Sequence, residues 1–134
     1  MTDLIEVRVS TLLGAPLDWA VAMAAGFTID PECRTTVWHR DGIPTSISIR
    51  GAAKGFGYRP STCWAQGGQL IDRHRGSAQY CPGLAEDVSY SGGPEGAGVW
   101  CYGPTALVAF CRGFVSYKLG DTVQVPKELM PCQA

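Results

Sequence analysis

Residues 59–68 hold the side chains best suited to binding a small ligand. They supply a guanidinium, two hydroxyls, an indole and a carboxamide, from Arg59, Ser61, Thr62, Trp64 and Gln66. An aromatic face can stack on a planar ring, while amide and hydroxyl groups hydrogen-bond to the edge of the ring. The composition therefore predicts a small-ligand site, although the same residues would also serve if Ser61 and Thr62 only cap a turn and Trp64 fills the core.

Asp72 and His74 offer a second kind of chemistry. We expect residues 70–74 to continue as a strand, and alternate residues of a strand face the same side. Asp72 and His74 would then lie together as an acid–base pair. The other histidine, His39, stands beside Arg40, where a solvated side chain is the simpler interpretation. Because no nucleophile or metal partner lies at a recognised spacing, the sequence predicts no catalytic residue and no metal site, and Asp72 is retained as a ligand-binding candidate.

Known catalytic and nucleotide-binding motifs are absent from the sequence. There is no H-E-x-x-H and no G-x-S-x-G. The glycine-rich run at 92–98 lacks the lysine and the strand–turn–helix setting of a phosphate-binding loop. The sequence therefore predicts no cofactor.

The six cysteines indicate reduced thiols rather than disulfides or a zinc site. Successive cysteines are at least ten residues apart, so no C-x-x-C pair occurs. The first residues lack a secretory signal, and no apolar run of 18 residues is present. We expect a soluble intracellular protein with no membrane partner.

Charge and size narrow the class of protein further. Eleven Lys and Arg balance twelve Asp and Glu for a net charge of −1, so nucleic acid and anionic lipid are disfavoured as partners. The 134 residues, 46% of them hydrophobic, suffice for one globular domain with its own core.

Both ends of the sequence show clear elements. Residues 4–9 alternate as a half-buried strand. A helix over 17–25 follows, with Pro16 in its first turn and Gly26 after its end. A second helix begins after Pro104 and stops at Gly120, and residues 121–125 return as a strand.

The tryptophans and Asp18 are assigned to these elements. Trp19 is expected in the core, and Trp38 and Trp100 in the core or at an interface. Asp18 is expected as a first-turn carboxylate favoured by the helix dipole.

The middle of the chain is less regular. Asp41-Gly42 predicts a hairpin between strands over 35–40 and 43–50. Residues 51–57 and 76–98 are expected as loops, 58–68 as a segment too short for a regular helix, and 99–102 as a brief strand. We predict one α+β domain over 1–126, with two main helices packed on a small, mainly antiparallel sheet and long Gly/Pro-rich loops, and a loosely ordered tail over 127–134.

Three blocks resemble the NinX-like family of small bacteriophage proteins. They are LLGAPLDWAVA at 12–22, YRPSTCWAQGG at 58–68, and GPTALV at 103–108 running on to KLGDTVQVP at 118–126. The resemblance implies a phage origin and action in the host bacterial cytoplasm, and it carries no biochemical activity with it. The family usually has an acidic residue where Cys63 stands, which weakens any role that needs a charge there.

Compact phage accessory proteins without catalytic motifs often act by binding. Our leading hypothesis is a homo-oligomer that sequesters a nucleotide-derived signal of host immunity near the residues Arg59, Ser61, Thr62, Trp64, Gln66 and Asp72. The alternatives are a hydrolase that cleaves such a signal with Asp72 and His74, and an inhibitor or adaptor that binds a host or phage protein. An accessory role in recombination is weaker because of the balanced charge.

Overall fold

The computed structural model describes residues 4–39 and 41–131. These contain, in chain order, β1 (Leu4–Arg8), α1 (Gly14–Ala24), β2 (Thr28–Ile29), β3 (Thr36–Trp38), β4 (Pro44–Ser46), α2 (Ile49–Ala53), α3 (Trp64–Arg73), β5 (Ser77–Tyr80), β6 (Tyr90–Gly93), β7 (Cys101–Gly103), α4 (Ala106–Leu119) and β8 (Thr122–Pro126). The predicted α+β class is confirmed.

The strands form three small antiparallel sheets rather than the one sheet that was predicted. Strand β1 pairs with β8, with Ile5 opposite Val125. The predicted hairpin is present as β3 and β4, and β2 adds to its other edge. Strands β5, β6 and β7 make the third sheet.

Helix α4 is the centre of the core. Its residues from Leu107 to Val115 are all buried, and it packs on α1 and on strands β6 and β7. The approach to β6 is close because a Cβ at Gly92 would lie 2.8 Å from the main-chain nitrogen of Phe110. Thr105 caps the helix by accepting a hydrogen bond from the Val108 N–H at 3.1 Å, and Gly120, with φ +103°, ends it as predicted.

The helix predicted over 17–25 is present as α1, and Trp19 lies in the core as expected. Trp19 is 5% exposed, and its indole N–H donates to the carbonyl of Arg34 at 2.9 Å. Trp38, by contrast, is 36% exposed, and its indole N–H donates to Asp30. Among the described residues, no helix is long and apolar enough to cross a membrane.

Helix α3 corrects the prediction for residues 58–74. We expected no regular helix before Gly68 and a strand over 70–74, but Trp64–Arg73 is one helix. Gly67 permits it, because a Cβ there would lie 2.7 Å from Leu107 Cδ2 of α4. A glycine that allows close helix packing was thus misread as a helix breaker.

Two predicted loops also contain regular elements. Helix α2 lies partly within 51–57 and is capped by the Ser48 side chain, which accepts from the Gly51 N–H at 2.8 Å. Strands β5 and β6 lie within 76–98. Gly93 belongs to β6 through its pairing with Ser77, and the position requires a glycine because a Cβ there would lie 2.6 Å from Trp100 Cδ1.

The segment predicted as a loose tail packs on the core as far as it is described. Residues Lys127–Leu129 form a 3-10 turn, Leu129 is 2% exposed, and Met130 packs against the core. Residues 132–134, including Cys132, lie outside the described residues. The five described cysteines form no disulfide with one another.

Candidate functional site

A cavity of about 540 Å³ lies between the end of α1, the β3–β4 hairpin, one face of α3 and the end of α4. Its aromatic wall consists of Phe27, His39 and Tyr58. The Phe27 ring centroid lies 4.2 Å from that of His39 and 5.0 Å from that of Tyr58. Burial raises the pKa of the Tyr58 phenol, so its hydroxyl remains neutral at physiological pH. This wall provides stacking surface and one hydroxyl.

The lining also contains two cations, Arg73 of α3 and Lys118 of α4. In the described chain, no carboxylate lies within 4.0 Å of either charged group, and neither makes a side-chain hydrogen bond. Asp41 is the single carboxylate of the described lining. Unpaired guanidinium and ammonium groups beside an apolar wall are suited to an anionic ligand.

Helix periodicity explains how α3 builds its side of the cavity. Gln66, Gln69, Leu70 and Arg73 follow the i, i+3, i+4, i+7 spacing of one helix face and all line the cavity. The Gln66 amide is already occupied, because its oxygen accepts from the main-chain N–H of Arg59 at 2.6 Å and its nitrogen donates to the Gly57 carbonyl at 3.0 Å. The Gln69 amide makes no hydrogen bond within the described chain and is free for a ligand.

His74 lines the same cavity as the two cations and lies just after the end of α3. Its ring contacts Phe114 with centroids 4.5 Å apart. Burial lowers the pKa of His74 from 6.5, and the charges of Lys118 and Arg73 lower it further. At neutral pH His74 therefore offers one hydrogen-bond donor and one acceptor without a charge.

A smaller cavity of about 260 Å³ adjoins the first one. Arg73, His74 and Lys118 line both. The smaller cavity adds Arg75, Glu95 and Tyr117, among others, to these shared residues.

Three residues of the predicted ligand site lie on α3, and the structure separates them. Gln66 lines the larger cavity. Trp64 is 62% exposed and points away from it, since successive helical residues turn by about 100°. Asp72 is exposed and outside the lining.

The Asp72–His74 pairing is corrected. It assumed a strand, but Asp72 belongs to α3 and His74 follows directly after it. Side chains two positions apart in a helical backbone differ in direction by about 200°. In the described chain, moreover, no group of three His, Cys, Asp or Glu residues is arranged to hold a metal ion.

The remaining predicted residues, Arg59, Ser61 and Thr62, form the turn before α3 and lie outside both cavity linings. Ser61 is 2% exposed, and its main-chain N–H donates to Asp18 Oδ1 at 2.8 Å. Thr62 is exposed, and its hydroxyl donates to the Arg59 carbonyl at 3.4 Å. Arg59 Nε is buried and has no hydrogen-bond partner among the described residues. These residues anchor the turn.

Asp18 was predicted as a first-turn carboxylate, but it is in the middle of α1 and 1% exposed. Its second carboxylate oxygen and the Ser61 hydroxyl are buried without a partner in the described chain. Burial raises the pKa of Asp18 to about 7, although the hydrogen bond from the Ser61 main-chain N–H and the charge of Arg59 both act to lower it. This burial of a carboxylate was not predicted.

Sequence reasoning missed most of the cavity, because its residues come from separate segments. Phe27, Tyr58, Arg73 and Lys118 are far apart in the sequence and share no motif. The spacing of Gln66, Gln69, Leu70 and Arg73 was the one available indication. It was obscured by the glycines at 67 and 68.

Comparison with known proteins supports the resemblance noted in the sequence. The model of the family described as Bacteriophage P22, NinX matches residues 8–118. No curated protein matches the chain.

Proposed function

The chain belongs to this phage family, and we propose that it binds and sequesters a small nucleotide-derived signal of host immunity in the larger cavity. Its place of action is the cytoplasm of the host bacterium, where such a signal is made. The active form is a homo-oligomer. Binding, rather than turnover, is the proposed activity.

The observation that carries the proposal is one cavity lined by both an aromatic wall and two unpaired cations. Phe27, His39 and Tyr58 offer stacking surface for a base, and the free Gln69 amide can hydrogen-bond to its edge. Arg73 and Lys118 can neutralise a phosphate. A volume of about 540 Å³ falls within the usual range for small-molecule sites.

Sequestration is favoured over cleavage by the arrangement of the titratable groups. The hydrolase hypothesis relied on Asp72 and His74 facing one side, and their side chains point in different directions. A sponge needs no nucleophile, and each group named above can act in binding alone.

The test is native mass spectrometry of the purified protein with AMP, ADP-ribose and cyclic di-AMP, followed by heat release and analysis of the small molecule. We expect recovery of intact nucleotide and loss of binding in Arg73→Gln. Arg50→Gln, an exposed arginine of α2 outside both cavities, is the matched control and should bind as wild type. The same spectra count the copies in the oligomer. Binding of none of the three probes would overturn the proposal, and a cleaved product would favour a hydrolase.

A second candidate function, an inhibitor or adaptor that binds a host or phage protein, is favoured by exposed aromatic side chains. Phe56 is 70% exposed and Trp64 62% exposed, both outside the cavity. Large exposed aromatics are common at protein interfaces. If Trp64→Ala abolishes capture of a specific partner while Arg73→Gln does not, this candidate replaces the first.

A further inference from the structure

The two cavities meet at a shared wall, and we propose that they hold one ligand: a nucleotide whose phosphate carries a second, hydroxyl-rich sugar unit. The base occupies the larger cavity, the phosphate lies at the shared wall, and the second sugar occupies the smaller cavity. This inference rests on the proposed function and specifies its ligand class.

The shared wall is the place for the phosphate. Arg73, His74 and Lys118 line both cavities, so a group at the junction contacts all three. Arg75 adds a third cation on the side of the smaller cavity. Among the described residues, none of the three cations lies within 4.0 Å of a carboxylate. In a chain with only 17% charged residues, this concentration of free positive charge favours an ionised linker.

Glu95 and Tyr117 line the smaller cavity and do not line the larger one. The Glu95 carboxylate accepts hydrogen bonds, as sugar hydroxyls require. Tyr117 is 50% exposed, and Lys118 Nζ lies 5.7 Å from the centroid of its ring. An aromatic face beside a carboxylate is suited to the C–H face and hydroxyls of a sugar. Glu95 would repel a further phosphate, so a longer polyphosphate chain is disfavoured.

The backbone holds these groups in place. The Glu95 N–H donates to the His74 carbonyl at 3.1 Å, which ties the loop to the end of α3. Arg75 has φ +49°, a left-handed conformation that a non-glycine residue rarely adopts. Gly96 has φ +88°, a left-handed conformation that favours glycine, and it lies beside Tyr117, since a Cβ there would be 3.0 Å from the Tyr117 hydroxyl. The smaller cavity is thus fixed relative to the shared wall.

The volume of the smaller cavity agrees with this division. At about 260 Å³ it is roughly half the size of its neighbour. A single sugar therefore fits it better than a second complete nucleotide. The chemical class is that of nucleoside diphosphate sugars, with ADP-ribose as the simplest probe.

Isothermal titration calorimetry with AMP, ADP, ATP and ADP-ribose tests the inference. We expect ADP-ribose to bind at least about tenfold more tightly than ADP, a difference of about 1.4 kcal/mol. ATP should gain no such advantage over ADP. In Glu95→Gln and Tyr117→Ala, the preference for ADP-ribose over ADP should largely disappear, while AMP binding is retained. Glu86→Gln and Tyr102→Ala, exposed residues outside both cavities, are the matched controls.

The outcomes separate the inference from the function on which it rests. Equal affinity for ADP and ADP-ribose, or a preference for ATP, would overturn the second sugar site and leave nucleotide binding intact. Binding of none of the four probes would overturn both. A preference for ADP-ribose that persists in both variants, with their thermal unfolding unchanged, would move the second sugar out of this cavity.

Discussion

The carboxylate of Asp18 in α1 accepts a hydrogen bond from the main-chain N–H of Ser61 at 2.8 Å, inside the protein. This contact joins α1 to the turn before α3, and α3 supplies Arg73 and one polar face of the cavity lining. One buried carboxylate therefore helps to position the candidate site without lining it. Because burial raises its pKa to about 7, its protonation links the stability of the fold to pH.

Asp18→Asn should change the dependence of stability on pH. Between the unfolded value of 3.8 and the folded value of about 7, the folded state keeps a proton that the unfolded chain has lost. Stability from this group is complete below the lower value and is lost as pH rises through the upper one. Wild type should lose this contribution between pH 4 and pH 8, whereas the variant has none to lose. The unfolding free energy of the variant minus that of wild type should therefore rise by up to about 4 kcal/mol over this range.

Urea unfolding at several pH values measures this difference. Asp87→Asn replaces an exposed aspartate in the 3-10 turn Glu86–Val88 and is the control. Its curve should follow that of wild type. Parallel curves for Asp18→Asn and wild type would contradict the assignment of the pH dependence to Asp18.

The elements at the two ends of the chain were predictable, and those between them were less so. Helices α1 and α4 have proline or threonine near their start and glycine after their end, so local chemistry and tertiary packing agree. In α3 and β6, glycines are present because another element comes close: Leu107 approaches Gly67, and Phe110 approaches Gly92. Such a glycine cannot be told from a loop glycine by composition alone.

The cavity was even less predictable, since its chemistry depends on tertiary proximity. His39 and His74 each looked like isolated histidines beside an arginine. In the fold, both histidines line one cavity together with Tyr58, although the three residues come from separate segments. Only the α3 face, through Gln66 and Arg73, had a pattern in the sequence.

Gly113→Ala should destabilise the fold although it replaces glycine by the best helix former. A Cβ at Gly113 would lie 2.7 Å from Gly93 Cα, and the main chain of β6 cannot move aside without disturbing the sheet. We expect a loss of about 2–3 kcal/mol in unfolding free energy, typical of an overpacked core. Gly98→Ala is the matched control, because a Cβ there has nothing within 4 Å. Equal stability of the two variants would show that the contact between α4 and β6 is looser than described.

Ligand affinity should rise on acidification through His74. The pKa of His74 lies below 6.5, so the imidazole is neutral at pH 8 and gains a proton only when the pH falls below this lowered pKa. The added charge beside Arg73 and Lys118 strengthens binding of an anion. Calorimetry with ADP-ribose, whose pyrophosphate stays ionised, over a descending pH series from pH 8 should show binding that tightens as His74 gains its proton. His74→Gln should remove this tightening, and an unchanged pH profile in this variant would exclude His74 as its source.

Cysteine reactivity should follow burial and hydrogen bonding. Cys33 is exposed, and hydrogen bonding with the Thr35 and Thr36 hydroxyls lowers the pKa of its thiol. Burial raises the pKa of the Cys111 thiol in α4, which is fully buried. Iodoacetamide followed by peptide mass spectrometry should find Cys33 modified in the folded protein and Cys111 modified only in urea. Early modification of Cys111 would mean that α4 opens readily.

The pairing of β1 with β8 has a consequence for synthesis of the protein. Leu4 lies opposite Pro126 and Arg8 opposite Thr122, so β1 leaves the ribosome long before its partner strand exists. Until then its apolar residues, including Val7, remain open to other contacts, and this late closure of a long-range pair slows folding. Ribosome-bound chains that stop before residue 122 should therefore depend on chaperones more than the released protein does.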